Sequence, residues 1–337
     1  MKPLISVLIP VYNVERYIRK CLESLFNNKC SERCEFIITD DCSTDDSIKI
    51  ATEVCNKYRN LKNNIKFCKH IKNRGLAAAR NTGLEHATGK YILNVDSDDY
   101  VENNYLDILY SEAEKSDFDC ITCDYYLNSN SDEFVIKQNI EFIDNVSFLS
   151  KLISSQYKAY LWCKLLKRDL FLKNDIRWIE GINLWEDFTI CIQFFSHCKS
   201  FKYINKPLYH YVQNPLSYVH QKESIKKVSN LIDAINFADK YLRNTIGDTI
   251  YDSILKKIIL EKKIATKNSF ILESNYSIQQ KYYNIWPEIY ELVDSCNLGQ
   301  FTKFVIKKAT KRSLLNFFLI RINYHLVKIK KIIKNKD

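Results

Sequence analysis

Tyr91-Ile-Leu-Asn-Val-Asp-Ser-Asp-Asp99 is the stretch that decides the fold. Its first five residues form an apolar run too short for a helix and suited to a strand buried on both faces. The run ends abruptly in three acids among four residues. Working back towards the N-terminus, the same pattern recurs. Leu4–Pro10 is a second apolar run, ending in Pro10-Val-Tyr12-Asn13, and Phe36–Thr39 is a third, ending in Asp40-Asp41-Cys42-Ser43-Thr44-Asp45.

Amphipathic segments separate these runs. Periodicity predicts helices over Val14–Phe26, with Asn13 as its cap, and from Ser43-Thr-Asp-Asp46, which has capping-box character, to Tyr58. It predicts a strand at Ile65–Lys69 and a helix at Leu76–Ala87. Strand–helix repetition of this kind specifies an α/β fold, a Rossmann-like and mostly parallel sheet with helices on both faces. Ligands of such sheets bind beyond the carboxyl ends of the strands, where all three polar clusters fall. Asp, Asn and Ser also favour turns and caps on their own account. Three clusters on one edge, with three of the chain's six glycines (Gly75, Gly83, Gly89) between them, point to a site.

From Cys120 the rhythm changes to a strand at Cys120–Tyr126, mixed elements, a helix around Trp185–Ser196 and a Tyr-rich strand at Leu208–Gln213. From Glu223 the pattern is helical. Two regions are therefore expected: residues 1–222, divided into halves 1–125 and 126–222, and a helical extension over 223–337.

The residues in order are Ser6-Val-Leu-Ile-Pro-Val-Tyr-Asn13, Asp40-Asp41-x-Ser-Thr-Asp45, Asn73-Arg-Gly-Leu-Ala-Ala-Ala-Arg-Asn-Thr-Gly83, Ala87-Thr-Gly-Lys-Tyr-Ile92 and Asp96-Ser-Asp-Asp99. This series resembles family 2 glycosyltransferases of the GT-A fold over residues 4–101. A weaker likeness runs to about residue 220 through Trp162-Cys-Lys164, Glu186-Asp187 and Tyr209-x-Tyr211. Cys42 departs from the family, which usually has Gly there.

The resemblance implies an inverting transfer of a hexosyl or N-acetylhexosaminyl group from a nucleoside-diphosphate donor, with UDP the family's preference. A nucleoside diphosphate leaves well only when its growing charge is neutralised, which a divalent cation can do. Mn²⁺ or Mg²⁺ takes oxygen ligands from one or two carboxylates, phosphates and water, and Asp96-x-Asp98 fits that need. By resemblance Asp98 ligates the metal, Asp96 contacts the ribose or a metal-bound water, Tyr12 and Asp41 hold the base beside Pro10, and Asp187 is the general base, with Glu186 second. Arg80 either faces the diphosphate or pairs with the aspartates. Asp99 reads as a cap for the next helix. His210, between Tyr209 and Tyr211, reads as a packed residue rather than a metal ligand. Asn174-Asp-Ile-Arg-Trp178 only superficially matches the processive-synthase signature Q-x-x-R-W.

The expected setting is a bacterial surface glycan such as O-antigen or capsule, with a glycan or undecaprenyl-linked acceptor. The rival reading is a non-catalytic nucleotide-sugar-binding subunit, which loss of Asp98 or Asp187 would have signalled. A sugar nucleotidyltransferase should carry a Gly-rich phosphate loop after the first strand, where this chain has Pro10-Val-Tyr-Asn13.

Charge argues against nucleic acid. The chain carries 50 Lys or Arg and 40 Asp or Glu, and residues 301–337 hold 11 of the bases and one acid, a balance of +10 that equals the net charge of the whole. Nucleic-acid binders spread basic groups over a folded face. Leu315, Phe318, Ile322, Leu326, Ile329 and Ile333 make a helical apolar stripe flanked by Lys and Arg, a pattern suited to the surface of an anionic membrane; the alternative is a helix packed on the domain with a solvated basic face. The start of the chain reads as no signal peptide, and no apolar run is long enough to span a bilayer. Cys120-Ile-Thr-Cys123 has no partner pair of the kind zinc sites need. A cytoplasmic protein with reduced thiols, peripheral at the inner face of the membrane, is expected.

Overall fold

The computed structural model describes residues 3–129, 132–214, 224–268, 276–282, 284–296, 298–308, 318, 319, 322 and 325. The chain divides into two compact units, Met1–His220 and Gln221–Asp337.

The first unit is built on one nine-stranded sheet. Its strands are β1 (Ile5–Val11), β2 (Cys34–Asp40), β3 (Ile65–Lys69), β4 (Tyr91–Asn94), β5 (Tyr100–Val101), β6 (Cys120–Ser129), β7 (Asp132–Ile136), β8 (Lys164–Lys167) and β9 (Phe201–Val212). They lie in the order β3-β2-β1-β4-β8-β6-β9-β5, with β7 paired to β6. The first four are parallel, and every residue of β1, β2 and β4 is buried. Burial on both faces is why these strands read as continuous apolar runs. Beyond β4 the sheet is mixed, because β8 enters antiparallel between β4 and β6 while β9 runs parallel to β6.

Helices α1 (Ile18–Phe26), α2 (Ser47–Lys57) and α3 (Leu76–His86) follow β1, β2 and β3. Asn13 does not cap α1, contrary to the sequence reading. It sits at φ 54°, in the left-handed region Asn tolerates, and its side chain accepts from Thr44 N–H at 2.8 Å. The capping-box character of 43–46 is likewise spent between loops: Asp45 accepts from Glu15 N–H (3.0 Å) and Glu15 from Asp46 N–H (3.1 Å). The turns after β1 and β2 are thereby fastened to each other. Cys42 takes φ 65°, which accounts for Gly being usual there: an L-residue pays about 1–2 kcal/mol for that conformation.

A second knot explains Thr88-Gly89. Buried Glu35 on β2 accepts from Ser6 Oγ–H, Thr88 N–H and Lys66 Nζ–H at 2.5, 2.5 and 2.9 Å. A Cβ on Gly89 would stand 2.6 Å from Ser6 Oγ and 2.7 Å from Ser6 N. Gly89→Ala should therefore destabilise the fold by about 2 kcal/mol, since backbone of β1 must shift. Thermal unfolding checks this, and an unchanged midpoint would contradict it.

The second unit begins, among the described residues, with the helix Ile225–Ile246, capped by Ser224, whose hydroxyl accepts from Lys227 N–H at 3.2 Å. A helix at Lys256–Thr266 contributes Lys263, which pairs with Asp239 and Glu288. Trp286 donates to Asn236 at 2.7 Å. Phe318 and Ile322 of the amphipathic stripe are helical. Leu315, Leu326, Ile329 and Ile333 lie outside the described residues. No helix among the described residues is long and apolar enough to cross a membrane.

Candidate functional site

The register carries the predicted residues to one edge. Val11 pairs with Asp40 and Leu8 with Asn94, so the turns after β1, β2 and β4 emerge side by side. Pro10 lies two residues past the last β1–β4 pair, where its missing N–H costs no bond to β4. Tyr12 stands on the turn with its ring 48 % exposed rather than packed.

Asp41 is buried, and its carboxylate accepts from Arg74 N–H (2.8 Å), Gly75 N–H (2.7 Å) and His70 Nδ1 (2.7 Å). It thus shapes the loop that opens α3. With three hydrogen bonds already made, a carboxylate has about one lone-pair direction left. His70 also contacts Thr82 Oγ1 at 2.9 Å, and the sequence reading missed it. The signal was available: His70 is the first residue after β3, the position that supplied the candidates on the other strands.

Arg80 organises the rest. It projects from α3, is 1 % exposed, and reaches Asp187 Oδ1 at 2.6 Å, Glu186 Oε1 at 3.2 Å and Asp96 Oδ1 at 2.7 Å. Of the two roles open to it, pairing with carboxylates is the one the structure shows. Burial opposes its charge, but Asp187, Asp96 and Glu186 hold its pKa above the ordinary value. The neighbouring Asn81 clasps Trp178, donating to its carbonyl (2.8 Å) and accepting its N–H (2.9 Å). Trp178 is a buried residue stacked near Phe171. One turn of α3 therefore draws the 178–187 segment onto the acidic edge.

Glu186 and Asp187 open the helix Glu186–Phe195, preceded by Trp185 at φ 66°. A bulky residue in that region is strained, which is common at functional sites. Asp187 Oδ2 accepts from Leu161 N–H at 3.1 Å. Burial pushes Asp187 up and raises Glu186 to about 7, with the charge of Asp187 adding to the latter. Asp98 is raised to about 6 by burial and then by Asp96, against a 3.1 Å hydrogen bond from Asn214.

Asp99 is not a helix cap. It is buried, accepts from Tyr209 OH (2.7 Å) and Val212 N–H (2.8 Å), and ties β9 to the acidic turn. The next helix, α4 (Tyr105–Lys115), has Asn104 at its cap position. His210 is packed, but between Tyr100 and Tyr126, at ring distances of 4.1 and 4.5 Å. Glu102 and Glu133 lie 2.7 and 3.1 Å from its two nitrogens. Lys164, quoted within Trp162-Cys-Lys164 without a role, is fully buried and donates to Tyr160 O at 2.5 Å. All twelve cysteines are free thiols, Cys120 and Cys123 among the buried ones.

Three carboxylates (Asp96, Glu186, Asp187) therefore meet on one guanidinium, and Asp98 and Asp99 follow Asp96 in the same turn. Burial first, and then the charge of Asp96 on Asp98 and of Asp187 on Glu186, raises these two carboxyls. Among the described residues no group of three His, Cys, Asp or Glu side chains could hold a metal by itself. The residues fit a hard divalent cation that takes only one or two protein carboxylates and completes its shell with phosphate and water.

The family model described as glycosyl transferase family 2 matches residues 6–174. The chain is 30% identical over 223 residues to the uncharacterized glycosyltransferase EpsJ of Bacillus subtilis, covering 64% of this chain and 63% of that one. It is 31% identical over 215 residues to the minor teichoic acid biosynthesis protein GgaB of the same organism, covering 61% and 22%. The matched stretch thus spans less than two thirds of either relative. Among solved structures, S. aureus TarS 1-349 in complex with UDP-GlcNAc superposes with a TM-score of 0.73 at 20% identity, over 97% of this chain and 92% of that one. That likeness shows the fold, the GT-A arrangement.

Proposed function

Since the chain belongs to the family 2 glycosyltransferases, we propose that it moves a sugar from a nucleoside-diphosphate donor, UDP by preference, onto an acceptor hydroxyl with inversion. The acceptor class we infer is a glycan or undecaprenyl-linked oligosaccharide in bacterial surface-polysaccharide synthesis. The observation that carries this reading is the convergence of Asp96, Glu186 and Asp187 on the buried Arg80 at the carboxyl edge of the sheet.

In this reading the first half binds the donor. Tyr12 offers an open ring face to the base, and Asp41 accepts the uracil N3–H on its remaining lone pair beside Pro10. Asp98 and Asp96 would hold Mn²⁺ or Mg²⁺, which when bound supplies Lewis-acid stabilisation of the leaving diphosphate. Arg80 fixes one oxygen of Asp96 and one of Asp187, so donor site and base keep their spacing. Asp187 accepts the proton of the attacking hydroxyl, and its orientation is set from both sides, by Arg80 and by Leu161 N–H. Glu186 shares the guanidinium and is the second candidate for that proton. Reaction is one in-line displacement, with no sugar bonded to the protein.

The cytoplasm is the inferred setting, and free thiols agree with it. Contact of the basic tail with an anionic membrane belongs to the same proposal and is carried by sequence alone. The test is release of free nucleotide from a panel of UDP-, GDP- and TDP-sugars with Mn²⁺, with Mg²⁺ and with chelator, bacterial lipid extract being the acceptor. Metal-dependent release from one donor is expected. Nucleotide binding without release from any donor would instead favour the non-catalytic subunit.

A further inference from the structure

Tyr160 belongs to a stack of four aromatic rings that the donor site does not use. Trp162 lies 4.5 Å from Tyr209 and 5.5 Å from Tyr211, with interplanar angles of 20° and 2°. Tyr160 lies on Trp162 at 4.9 Å and 15°, and parallel to Tyr211 at 6.4 Å and 16°. Trp162 and Tyr209 are buried, Tyr211 is half-buried, and Tyr160 is 36 % exposed. Tyr160 is therefore the most exposed of the four aromatic residues.

That ring packs on Trp162 and Tyr125, and the backbone that carries it is pinned beside Asp187. Its own carbonyl accepts from the buried Lys164 ammonium at 2.5 Å, and the next N–H, that of Leu161, donates to Asp187 Oδ2 at 3.1 Å. Tyr125 meets it edge-on at 6.1 Å. Hydrogen bonds locate the stack: Tyr209 OH donates to Asp99 Oδ2 at 2.7 Å, and the Leu161 N–H next to Tyr160 donates to Asp187. Burial raises the Tyr160 phenol and Asp187 adds to the rise. Burial pushes Tyr211 up to about 12, with Asp99, Asp96 and Asp98 contributing. The stack thus runs from the Asp187 end of the acidic edge to the Asp96–Asp99 end.

An exposed aromatic ring whose backbone is pinned to a proton acceptor is suited to one kind of ligand. The C–H face of a pyranose packs on such a ring, while its hydroxyls stay free at the rim to reach the carboxylate. We propose that Tyr160, backed by Trp162 and Tyr211, is the stacking platform for the pyranose ring of the acceptor, holding the attacking hydroxyl against Asp187. This rests on the reading of Asp187 as the base. A ring packed in advance costs little entropy on binding.

The experiment uses the full chain with octyl β-glucoside, octyl β-galactoside and octyl N-acetyl-β-glucosaminide as probes. Their affinities are measured by saturation-transfer NMR with and without UDP and Mn²⁺. Donor KM and acceptor-free hydrolysis of the nucleotide sugar are measured alongside. Tyr160→Ala is expected to weaken the bound glycoside about tenfold, a loss typical of one aromatic contact, with donor KM and hydrolysis unchanged. Tyr160→Phe, which keeps the ring, should stay within about twofold of the original affinity, and unfolding midpoints verify that both variants fold. Binding of none of the glycosides, equal binding by Tyr160→Ala, or a loss confined to donor KM would each overturn the platform. Failure of the wild type to bind UDP or hydrolyse any nucleotide sugar would count instead against the functional reading, and the glycoside arm would still judge Tyr160.

Discussion

Asp187→Asn is expected to lower sugar transfer by about three orders of magnitude while donor binding stays within a few fold. General-base removal costs about 10²–10⁴ in rate, and Asp187 sits where that full cost applies. Arg80 and Leu161 N–H fix its two oxygens at 2.6 and 3.1 Å, so no neighbour can swing into its place without breaking those bonds. The amide keeps the volume but brings two N–H donors to a position where both partners are donors themselves, so one bond is lost as well. A pH profile adds a second readout. Burial raises the Asp187 pKa, and only the ionised form accepts a proton. Wild-type transfer should therefore fall on acidification, and the slow residual reaction of Asp187→Asn should fall less steeply, keeping only the share that protonation of Asp98 contributes. Steady-state kinetics with the donor and acceptor varied separately check both. A variant that loses donor affinity but keeps its turnover would assign Asp187 to binding.

The second large effect concerns stability. Arg80→Met removes the guanidinium that Asp96, Glu186 and Asp187 share, at a position 1 % exposed. Breaking a buried ion pair from one side costs about 3–5 kcal/mol, because the partners stay buried and unpaired. Three acids depend on this one cation. The variant should unfold several degrees lower, and more sharply so at pH 8 than at pH 6, where Glu186 and Asp98, already raised towards 7 and 6, begin to take up protons. Arg80→Lys should recover only part of the loss, since an ammonium cannot bridge Asp96 and the Glu186–Asp187 pair in the forked geometry of Arg80. Thermal unfolding at the two pH values decides the matter, and an Arg80→Met midpoint equal to wild type would contradict it.

Three of the first four strands, β1, β2 and β4, were legible because both faces are buried, while β3, only partly buried, was legible from its place in the strand–helix alternation. Ile65–Lys69 has the expected bounds, and Cys34–Asp40 extends the expected Phe36–Thr39 by one or two residues at each end. The acidic turns were legible because they follow those strands directly. What could not be read depends on contacts distant in sequence. β8, of four residues, has no pattern of its own and is defined by β4 and β6 on its two sides. β9 begins at Phe201, seven residues before the expected Leu208, because it pairs with β6 across a register shift at Cys123–Tyr125. Local rules assigned caps to Asn13 and Asp99, and tertiary partners, Thr44 for the one and Tyr209 with Val212 for the other, claimed both side chains. Arg80 could be seen to matter, but its three partners lie 16, 106 and 107 residues away. Tyr160 gave no local signal, since its place is set by Trp162, Tyr211 and the backbone bond from Leu161 to Asp187.

The most direct test of the account is calorimetric titration of UDP into the protein with Mn²⁺ and with chelator, for wild type and Asp98→Asn. If the acidic edge is a cation-dependent nucleoside-diphosphate site, wild type should bind UDP at least about tenfold more tightly with metal. Asp98→Asn should then lose most of that difference, while its unfolding midpoint stays at or above that of wild type because a raised, buried carboxylate has been neutralised. UDP binding that ignores both metal and Asp98, or no UDP binding at all, would contradict it.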